Sequence, residues 1–424
     1  MIPRYKTSEH PKFFYGWWII VVAGIGLCLG YAPIIVYSFG AFIKPLAQEL
    51  HSDRAGISLG FTLANLIQSV SSPLAGRLAD RFGARKIILV STAIFASLLI
   101  SSHLLSATLW NIYVFYGLLG FVGSGAGPIP YVKVVSRWFD RRRGLALGLI
   151  MLGIGSGAIV LPILTQRLIV ILGWRSTYTI IGLFVLVVSM PAVAVFLKES
   201  PEEIGLLPDG ANVADHAIEK HNSEEGMTWR EARCNRAFWL MVGAFFLVGA
   251  GVHGCVIHLV PMLSDQGVSS NRVALATSFL GSALLIGRVC SGYLLDRFFA
   301  PRVAMCLFGA AACGIALLRT GAGSELLFPA VLLIGLGMGA EVDIIAYLVG
   351  RYFGLRAFGE VYGYAFASYV LAGAVGPWIM GVGFDRFASY GLILAGFLVA
   401  TLLAVVLMSR LGPYRFRTGS CKST

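Results

Sequence analysis

Charged residues are scarce in this sequence, at 13% of 424 residues, whereas soluble domains carry about 25%. Hydrophobic residues make up 57%, and the mean hydropathy is +0.79. Since one buried core cannot hide so many apolar side chains, most of the surface must face lipid. The composition therefore excludes an ordinary soluble protein and predicts a membrane protein that crosses the bilayer many times.

Paired cysteines, nucleotide loops and catalytic constellations are also missing. The seven cysteines contain no CxxC spacing, so neither a disulfide framework nor a zinc site is indicated. The sequence has no phosphate-binding loop ending in GK[ST] and no nucleophile–base arrangement. Basic residues lie in the stretches that separate apolar runs, which argues against nucleic acid binding. We expect no enzyme activity, no cofactor and no metal.

Long apolar runs are what the sequence has in abundance. Twelve runs are long enough to cross a bilayer as helices, which takes about 20 residues each, and they lack the alternation of barrel strands. We predict an all-α membrane protein. The predicted spans cover 14–43, 55–76, 87–107, 110–134, 144–167, 175–197, 237–263, 271–292, 301–320, 325–349, 359–382 and 388–409.

The spans fall into two groups of six. We predict a tail over 1–12, a helical bundle over 13–197, a linker over 198–236, a second bundle over 237–410 and a tail over 411–424. When residues near the ends of spans are counted with the adjoining loop, 24 of the 33 Lys and Arg lie on the side of the N-terminus, 7 on the opposite side and two, Lys133 and Arg288, deeper inside spans. This excess predicts that both termini are cytoplasmic, and the compact loops suggest a bacterial inner membrane.

An internal repeat relates the two groups. Such a repeat predicts two pseudo-symmetric halves that rock about a substrate cavity at their shared face. The matching pieces are GRLADRF from Gly76 and GYLLDRF from Gly292 (offset 216), Arg137-Trp138-Phe139 and Arg351-Tyr352-Phe353 (offset 214), and Pro162 and Pro377 (offset 215).

The stretch GRLADRFGARK from Gly76 resembles the loop signature of the major facilitator superfamily, G-x-L-x-D-R-x-G-x-[RK]-[RK]. In this interpretation Gly76 and Gly83 permit a tight turn, while Asp80, Arg81 and Arg85 bridge to neighbouring helix ends and latch the inner side. The second copy has a phenylalanine in place of the second glycine, which argues against the same role there.

Shorter motifs are similar to the monocarboxylate porter branch of that superfamily, which includes the oxalate/formate antiporters. They are YGWW from Tyr15, HLVP from His258, Arg288, and EVD from Glu341. The resemblance implies transport of a small monocarboxylate such as lactate or pyruvate, commonly with a proton, and an arginine of the eighth span that grips the carboxylate.

Arg288 is the strongest candidate for a substrate-binding residue. A cation inside an apolar span costs about 2.5–3.5 kcal/mol on insertion scales, and the repeat places uncharged Ser72 at the equivalent position. A guanidinium can hold a carboxylate through two parallel hydrogen bonds. The alternative is an arginine that reaches the membrane edge or pairs with a neighbouring helix.

Two carboxylates in the tenth span, Glu341 and Asp343, are candidates for proton coupling and gating. Either would be costly in lipid unless it is paired or protonated. Lys133 in the fourth span is the partner to consider, because the repeat gives the fourth and tenth spans equivalent places. A fixed pair that holds helix ends together is the alternative.

Four further residues could orient a small polar ligand. His258 could bond the substrate or relay a proton, or a backbone carbonyl could satisfy it at a helix end. Tyr131 and Tyr347 are the preferred hydroxyl donors, although most tyrosines in such helices serve packing. Tyr37 stands where animal monocarboxylate porters have a coupling lysine, and Leu284 stands where they have an aspartate, so the usual proton pair of that branch is missing.

The predicted function is a secondary transporter that moves a small monocarboxylate by alternating access, with a proton. An organic-anion exchanger of the oxalate/formate type and a membrane sensor on the same fold are the alternatives. The partners expected are the carboxylate, protons and the lipid bilayer, and we expect a monomer.

Overall fold

The computed structural model describes residues 14–52, 54–105, 108–210, 226–321 and 325–416. Apart from an isolated bridge that joins Gly226 and Gly354, the regular structure of these residues is helical. A helix stands at each of the twelve predicted spans. The fold is an all-α membrane fold of twelve helices in two pseudo-symmetric halves. The predicted tail over 1–12 lies outside the described residues, as do the last residues of the C-terminal tail and the middle of the predicted linker.

The first half contains spans one to six. Two turns of π-helix interrupt it, and Gly173, with φ 78° and ψ 167°, separates the fifth span from the sixth. The helices of this half are Gly16–Cys28 with Ala32–Tyr37 and Phe39–Glu49, Arg54–Phe82, Ala84–Ile100, Leu109–Gly123 with Pro128–Trp138, and Arg143–Phe184 with Val185–Ser189 and Met190–Phe196.

The second half contains spans seven to twelve. A short helix, Trp229–Cys234, precedes it and begins with a capping box, in which Thr228 and Glu231 bond each other's backbone N–H groups. The helices of this half are Arg236–Ile257 with Leu259–Asp265, Ser270–Arg297, Ala300–Gly321, Leu327–Phe353, Phe358–Phe387 and Gly391–Ser409.

Length and hydropathy by themselves mark 10 helical segments of the described chain as able to cross a membrane. The fifth and sixth spans count as one segment, Arg143–Phe196, because the helix runs on through Gly173. The second span, Arg54–Phe82, is not among the 10. Its Ser, Thr, Asn and Gln side chains lower its hydropathy.

Two compact units result from the packing of these helices. The first contains the described residues up to Gly226, together with Gly354–Tyr364 and Phe416; the second contains Met227–Phe353 and Ala365–Arg415. The described start of the predicted linker, 198–210, therefore groups with the first unit, as does the beginning of the eleventh span. The rest of that span groups with the second unit.

Within each unit glycine allows helix backbones to approach closely, as expected for membrane helices. In the first unit a Cβ at Gly153 would collide with the backbone of Gly24. In the second unit a Cβ at Gly287 would stand 2.5 Å from the carbonyl oxygen of Leu336. These contacts fix how the helices are rotated, and so decide which side chains become buried.

Candidate functional site

Three ionisable side chains are buried within the second unit. Arg288 of the eighth span is 5% exposed, and Glu341 and Asp343 of the tenth span are 0% exposed. The two helices meet closely at the level of Arg288, since a Cβ at Gly339 would stand 3.1 Å from the Arg288 backbone nitrogen. The sequence places these groups in spans, and the structure adds that the two spans are in direct contact.

The two carboxyl groups leave the tenth span on different faces. Gly335, Gly339 and Asp343 follow one another at intervals of four residues, so they share the helix face that packs on the eighth span. Glu341 lies on another face, with its Oε2 atom 3.9 Å from the place of a Cβ at Gly249 in the seventh span. The Arg288 guanidinium interacts electrostatically with both carboxyl groups.

Most polar atoms of these three side chains have no hydrogen-bond partner. Arg288 Nε and Nη1, both oxygens of Glu341 and both oxygens of Asp343 are buried and unpaired within the described part of the chain. A buried polar atom left unpaired costs about 1–3 kcal/mol, and more when it is charged. The cluster of Arg288, Glu341 and Asp343, here called the charged cluster, therefore has buried donor and acceptor atoms that the described residues leave unpaired.

His253 and Tyr369 stand beside the charged cluster. His253 Nδ1 lies 2.9 Å from the carbonyl oxygen of Gly249, the residue that faces Glu341. The His253 ring packs edge-on against Tyr369, with 5.3 Å from centroid to centroid. The sequence did not favour His253, because it lies on a different helical face from His258, and its place beside Gly249 became apparent only in the structure.

Tyr347 and Tyr131, the preferred tyrosine pair, belong to different units and have partners there. In the second unit Arg351 Nη2 donates to Tyr347 Oη at 3.1 Å. In the first unit the Tyr131 hydroxyl hydrogen bonds with Ser189 and Thr92 and lies against Gly26. Tyr131 thus serves the internal packing of its bundle.

His258 and Tyr37 also lie away from the charged cluster's contacts. His258 Nε2 is 3.1 Å from the carbonyl oxygen of Pro377 in the eleventh span. The geometry of His258 therefore fits the alternative in which a backbone carbonyl satisfies its ring nitrogen. Tyr37, at the end of the π-helical turn, is 41% exposed.

Lys133 has a different partner from the one that the sequence suggested. Its Nζ atom forms an ion pair with Asp80 of the second span at 2.9 Å and donates to the carbonyl oxygen of Ala79 at 2.7 Å. The Lys133 side chain is 3% exposed. Its buried charge is compensated within the first unit, so it needs no carboxylate from the tenth span.

Asp80 also binds the start of the eleventh span. Its Oδ1 accepts from the Gly359 backbone N–H at 3.0 Å and its Oδ2 from the Glu360 N–H at 2.8 Å, while Arg77 forms an ion pair with Glu360. A carboxylate is stabilised there by the free N–H groups and the dipole of a helix N-terminus. Asp80 is thus a junction of three hydrogen-bonded partners.

The two glycines of the loop have different roles, which corrects one prediction. Gly83 has φ 93° and makes the turn between the second and third spans. Gly76 makes no turn, because it lies inside the helix Arg54–Phe82. A Cβ at Gly76 would overlap the carbonyl group of Gly359, so this glycine permits close backbone approach.

Arg85 and Arg81 differ in how firmly they are held. Arg85 Nη2 donates to the carbonyl oxygen of Ala194 at 2.5 Å, near the end of the sixth span. Arg81 is exposed and stands 5.2 Å from the centre of the Phe82 ring. Arg85 therefore bridges to a helix end as predicted for the loop cations, whereas Arg81 contacts its own neighbour.

Glu199 completes this end of the first unit, and sequence reasoning missed it. It accepts from the backbone N–H groups of Ala84 at 2.9 Å and Arg85 at 2.8 Å, and it pairs with Arg137 at 3.2 Å. An acidic residue directly after the sixth span was a usable signal, since a carboxylate is favoured at a helix N-terminus. We call Gly76, Asp80, Lys133, Glu199 and Glu360 the loop latch.

These features are matched by a known family. The model of the Major Facilitator Superfamily matches residues 14–377. The chain belongs to this superfamily. The structure of the proton:xylose symporter XylE, a superfamily member, is similar over 94% of this chain and 96% of that chain, with a TM-score of 0.76 and 14% sequence identity. At this identity the likeness shows the fold.

Sequence relatives within the superfamily are transporters by name. An uncharacterized MFS-type transporter of Bacillus subtilis, YcxA, is 26% identical over 380 residues, which cover 87% of this chain and 89% of the relative. Monocarboxylate transporter 11 of Mus musculus is 25% identical over 405 residues, which cover 93% and 86%. The protein is a multi-pass membrane transporter of the major facilitator type.

Proposed function

We propose that this transporter carries a small monocarboxylate together with a proton, and that the charged cluster is its binding site. The observation that carries the proposal is the set of buried, unpaired atoms on Arg288, Glu341 and Asp343. In this proposal the substrate carboxylate binds the Arg288 guanidinium through parallel hydrogen bonds. Relatives named as monocarboxylate transporters support the substrate class.

Charge balance supports proton coupling. One guanidinium and two carboxyl groups are neutral as a set when the carboxyl groups hold one proton. When a monocarboxylate enters, neutrality requires a second proton on Glu341 or Asp343, because an uncompensated charge in a low-dielectric site is costly. The proposal therefore assigns one proton to each monocarboxylate. A dicarboxylate would leave one negative charge uncompensated even with both carboxyl groups protonated.

The loop latch is proposed to hold one conformation of the transport cycle. Asp80 accepts hydrogen bonds from Gly359 and Glu360, and Arg77 pairs with Glu360, in the first turn of a helix whose remaining residues belong to the second unit. Release of Asp80 from Gly359 and Glu360 would free that helix end to move. We also propose that the latch faces the cytoplasm of a bacterial inner membrane, from the excess of basic residues on that side.

The test is uptake of radiolabelled lactate into proteoliposomes that contain the purified wild-type protein or Arg288→Lys. Lysine keeps the charge but loses the planar two-pronged grip, so we expect uptake to fall at least tenfold. Arg319→Lys, at an exposed arginine of the ninth span, is the matched control and should transport like wild type. Wild-type uptake by Arg288→Lys would contradict the assignment of the binding site.

The driving force separates symport from exchange. Lactate uptake that an inward proton gradient drives and pyruvate inhibits is the expected result. Uptake that ignores the gradient and requires trapped internal anion would instead show an organic-anion exchanger. If no labelled monocarboxylate enters under either condition, the proposed substrate class is wrong.

A further inference from the structure

A cavity of about 230 Å³ lies in the first unit, and no residue of the loop latch lines it. Aromatic rings of Phe14, Trp17 and Phe139 form part of its wall. Its charged lining residues are Asp140, Arg141, Arg142 and Asp209. Pockets that enclose drug-sized ligands measure roughly 300–1,000 Å³. The cavity is smaller than such pockets, and its volume suits a small polar group.

The cavity lies where several spans end, which places it at a membrane boundary. Trp17 is in the first turn of the first span, and the turn from Phe139 to Arg142 joins the fourth span to the fifth. Tyr15 donates to the carbonyl oxygen of Phe196 at the end of the sixth span, at 2.8 Å. Aromatic side chains are typical of the headgroup level of a bilayer.

The basic side of the cavity carries uncompensated positive charge. Arg141 and Arg142 are exposed, and their guanidinium groups form no ion pair in the described part of the chain. The carboxylate of Asp140 is already paired with Arg143 at 3.1 Å. Against two cations the cavity therefore has one further acid, Asp209, which leaves it one positive charge in excess.

Asp209 is only half satisfied. Its Oδ2 accepts from the backbone N–H groups of Asp140 at 2.8 Å and Arg141 at 2.7 Å, while its Oδ1 is buried and has no hydrogen-bond partner among the residues that the structure describes. Burial raises the pKa of Asp209. The residue is held at φ 54° to reach these donors. Its Oδ1 atom needs a donor that the described residues do not supply.

We propose that this cavity binds a glycerophosphate headgroup with one negative charge, in which the phosphate contacts Arg141 and Arg142 and a hydroxyl donates to Asp209 Oδ1. Guanidinium groups bind phosphate through paired, charge-assisted hydrogen bonds. Basic pockets at the ends of membrane helices are suited to anionic lipid headgroups. Phosphatidylglycerol combines the single charge with free hydroxyls, and a soluble glycerol phosphate offers the same groups.

The test measures the rise in thermal midpoint of the purified full-length protein in detergent as lipid is added. Phosphatidylglycerol should act at lower concentration than phosphatidylcholine, which lacks both net charge and hydroxyl donors. The variant Arg141→Gln/Arg142→Gln should need at least tenfold more phosphatidylglycerol, since each basic group near an anionic surface contributes about fivefold. Arg230→Gln/Arg233→Gln, on the exposed side of Trp229–Cys234, is the matched control.

A second variant isolates the hydroxyl contact. Wild type should prefer phosphatidylglycerol over phosphatidylethanol, which has the same charge but no headgroup hydroxyl. Asp209→Asn keeps an acceptor for the backbone N–H groups but presents an amide donor to the cavity, so it should lose that preference. The variant Arg141→Gln/Arg142→Gln changes only exposed side chains, so it should remain folded.

A third experiment, with soluble glycerol phosphate in place of lipid, identifies the source of the headgroup. If soluble glycerol phosphate stabilises the wild type with the same dependence on Arg141 and Arg142, the ligand is a soluble phosphorylated compound. If only the lipid does so, the ligand comes from the bilayer. The proposal is overturned if the double arginine variant responds to phosphatidylglycerol like its control, or if phosphatidylglycerol and phosphatidylcholine act alike.

Discussion

The two halves repeat one loop scaffold but hold it together with different chemistry. In the first half Glu199 accepts from the N–H groups that begin the third span, and Lys133 pairs with Asp80. The repeat places Tyr414 at the position of Glu199, offset 215, and Tyr347 at that of Lys133, offset 214. Tyr414 Oη accepts from the Ala300 N–H at 2.6 Å, at the start of the ninth span.

Inside the spans the two halves differ in how their buried charge is compensated. The second half holds Arg288, Glu341 and Asp343, while the first half has Ser72 at the position of Arg288. Ser72 is satisfied locally, because its hydroxyl donates to the Gln68 carbonyl at 2.7 Å. The comparison teaches that one scaffold can hold buried charge that is paired, as in Lys133 and Asp80, or buried charge with unpaired polar atoms, as in the charged cluster.

The largest expected effect concerns the carboxyl groups of the charged cluster. The double variant Glu341→Gln/Asp343→Asn should reduce lactate accumulation driven by a pH gradient at least tenfold, because neither amide can carry the balancing proton. Each single variant keeps one carboxyl group that can carry it and should lose less. The readout is accumulation in proteoliposomes, with Asp265→Asn of the same unit as control. If the double variant accumulates lactate like wild type, the proton follows another route.

The next largest effect concerns the buried ion pair of Lys133 and Asp80 in the first half. Lys133→Met should destabilise the protein by about 3 kcal/mol, because it leaves Asp80 without its buried partner. Tyr347→Phe, at the equivalent position of the second half, should cost about 1 kcal/mol. Thermal midpoints in detergent measure both. Adding Asp80→Asn to Lys133→Met should cost less than the sum of the two single changes; strict additivity would show that the pair is not coupled.

A smaller effect is expected at the close backbone contact of the loop latch. Gly76→Ala should cost about 1–3 kcal/mol, because the new methyl group meets the Gly359 carbonyl. Gly281→Ala in the eighth span has open space around its Cβ and is the control, with no loss expected. Equal thermal midpoints for the two variants would mean that the helices at Gly76 and Gly359 can move apart without loss of stability.

The smallest effect compares the two helix caps directly. Tyr414→Phe removes one neutral hydrogen bond to Ala300 and should cost about 1 kcal/mol. Glu199→Ala removes charge-assisted bonds to two N–H groups and the pair with Arg137, so it should cost more, about 2 kcal/mol. Thermal unfolding decides the order. A larger loss of stability in Tyr414→Phe than in Glu199→Ala would contradict the expectation that the charged cap of the first half is the stronger one.

Much of the fold could be predicted because its signals are local. Each span is a run of apolar residues whose backbone must bond to itself in lipid, and the repeat is visible as residues at one offset. The twelve helices and the superfamily are confirmed. The substrate, the coupling proton and the cytoplasmic location of the termini stay predictions.

The candidate site was predictable in part. Arg288, Glu341 and Asp343 could be chosen because charge in an apolar run is rare and costly. The partner of Lys133 could not, since Asp80 is 53 residues away and meets it only through the rotation of two helices. For the same reason Tyr131 and His258 could not be told from ligand-binding residues before their partners, Ser189 and Pro377, were in place.

The sequence by itself determined that this is a membrane protein of twelve helices in two related halves, with a few charged residues inside apolar runs. Hydropathy and the internal repeat can both be read directly from the order of residues along the chain. Only the tertiary structure decided which buried charge is already paired, as Lys133 is, and which atoms are left open, as those of Arg288 are. Pairing depends on helix packing within a few ångströms, and no pattern in the chain encodes that distance.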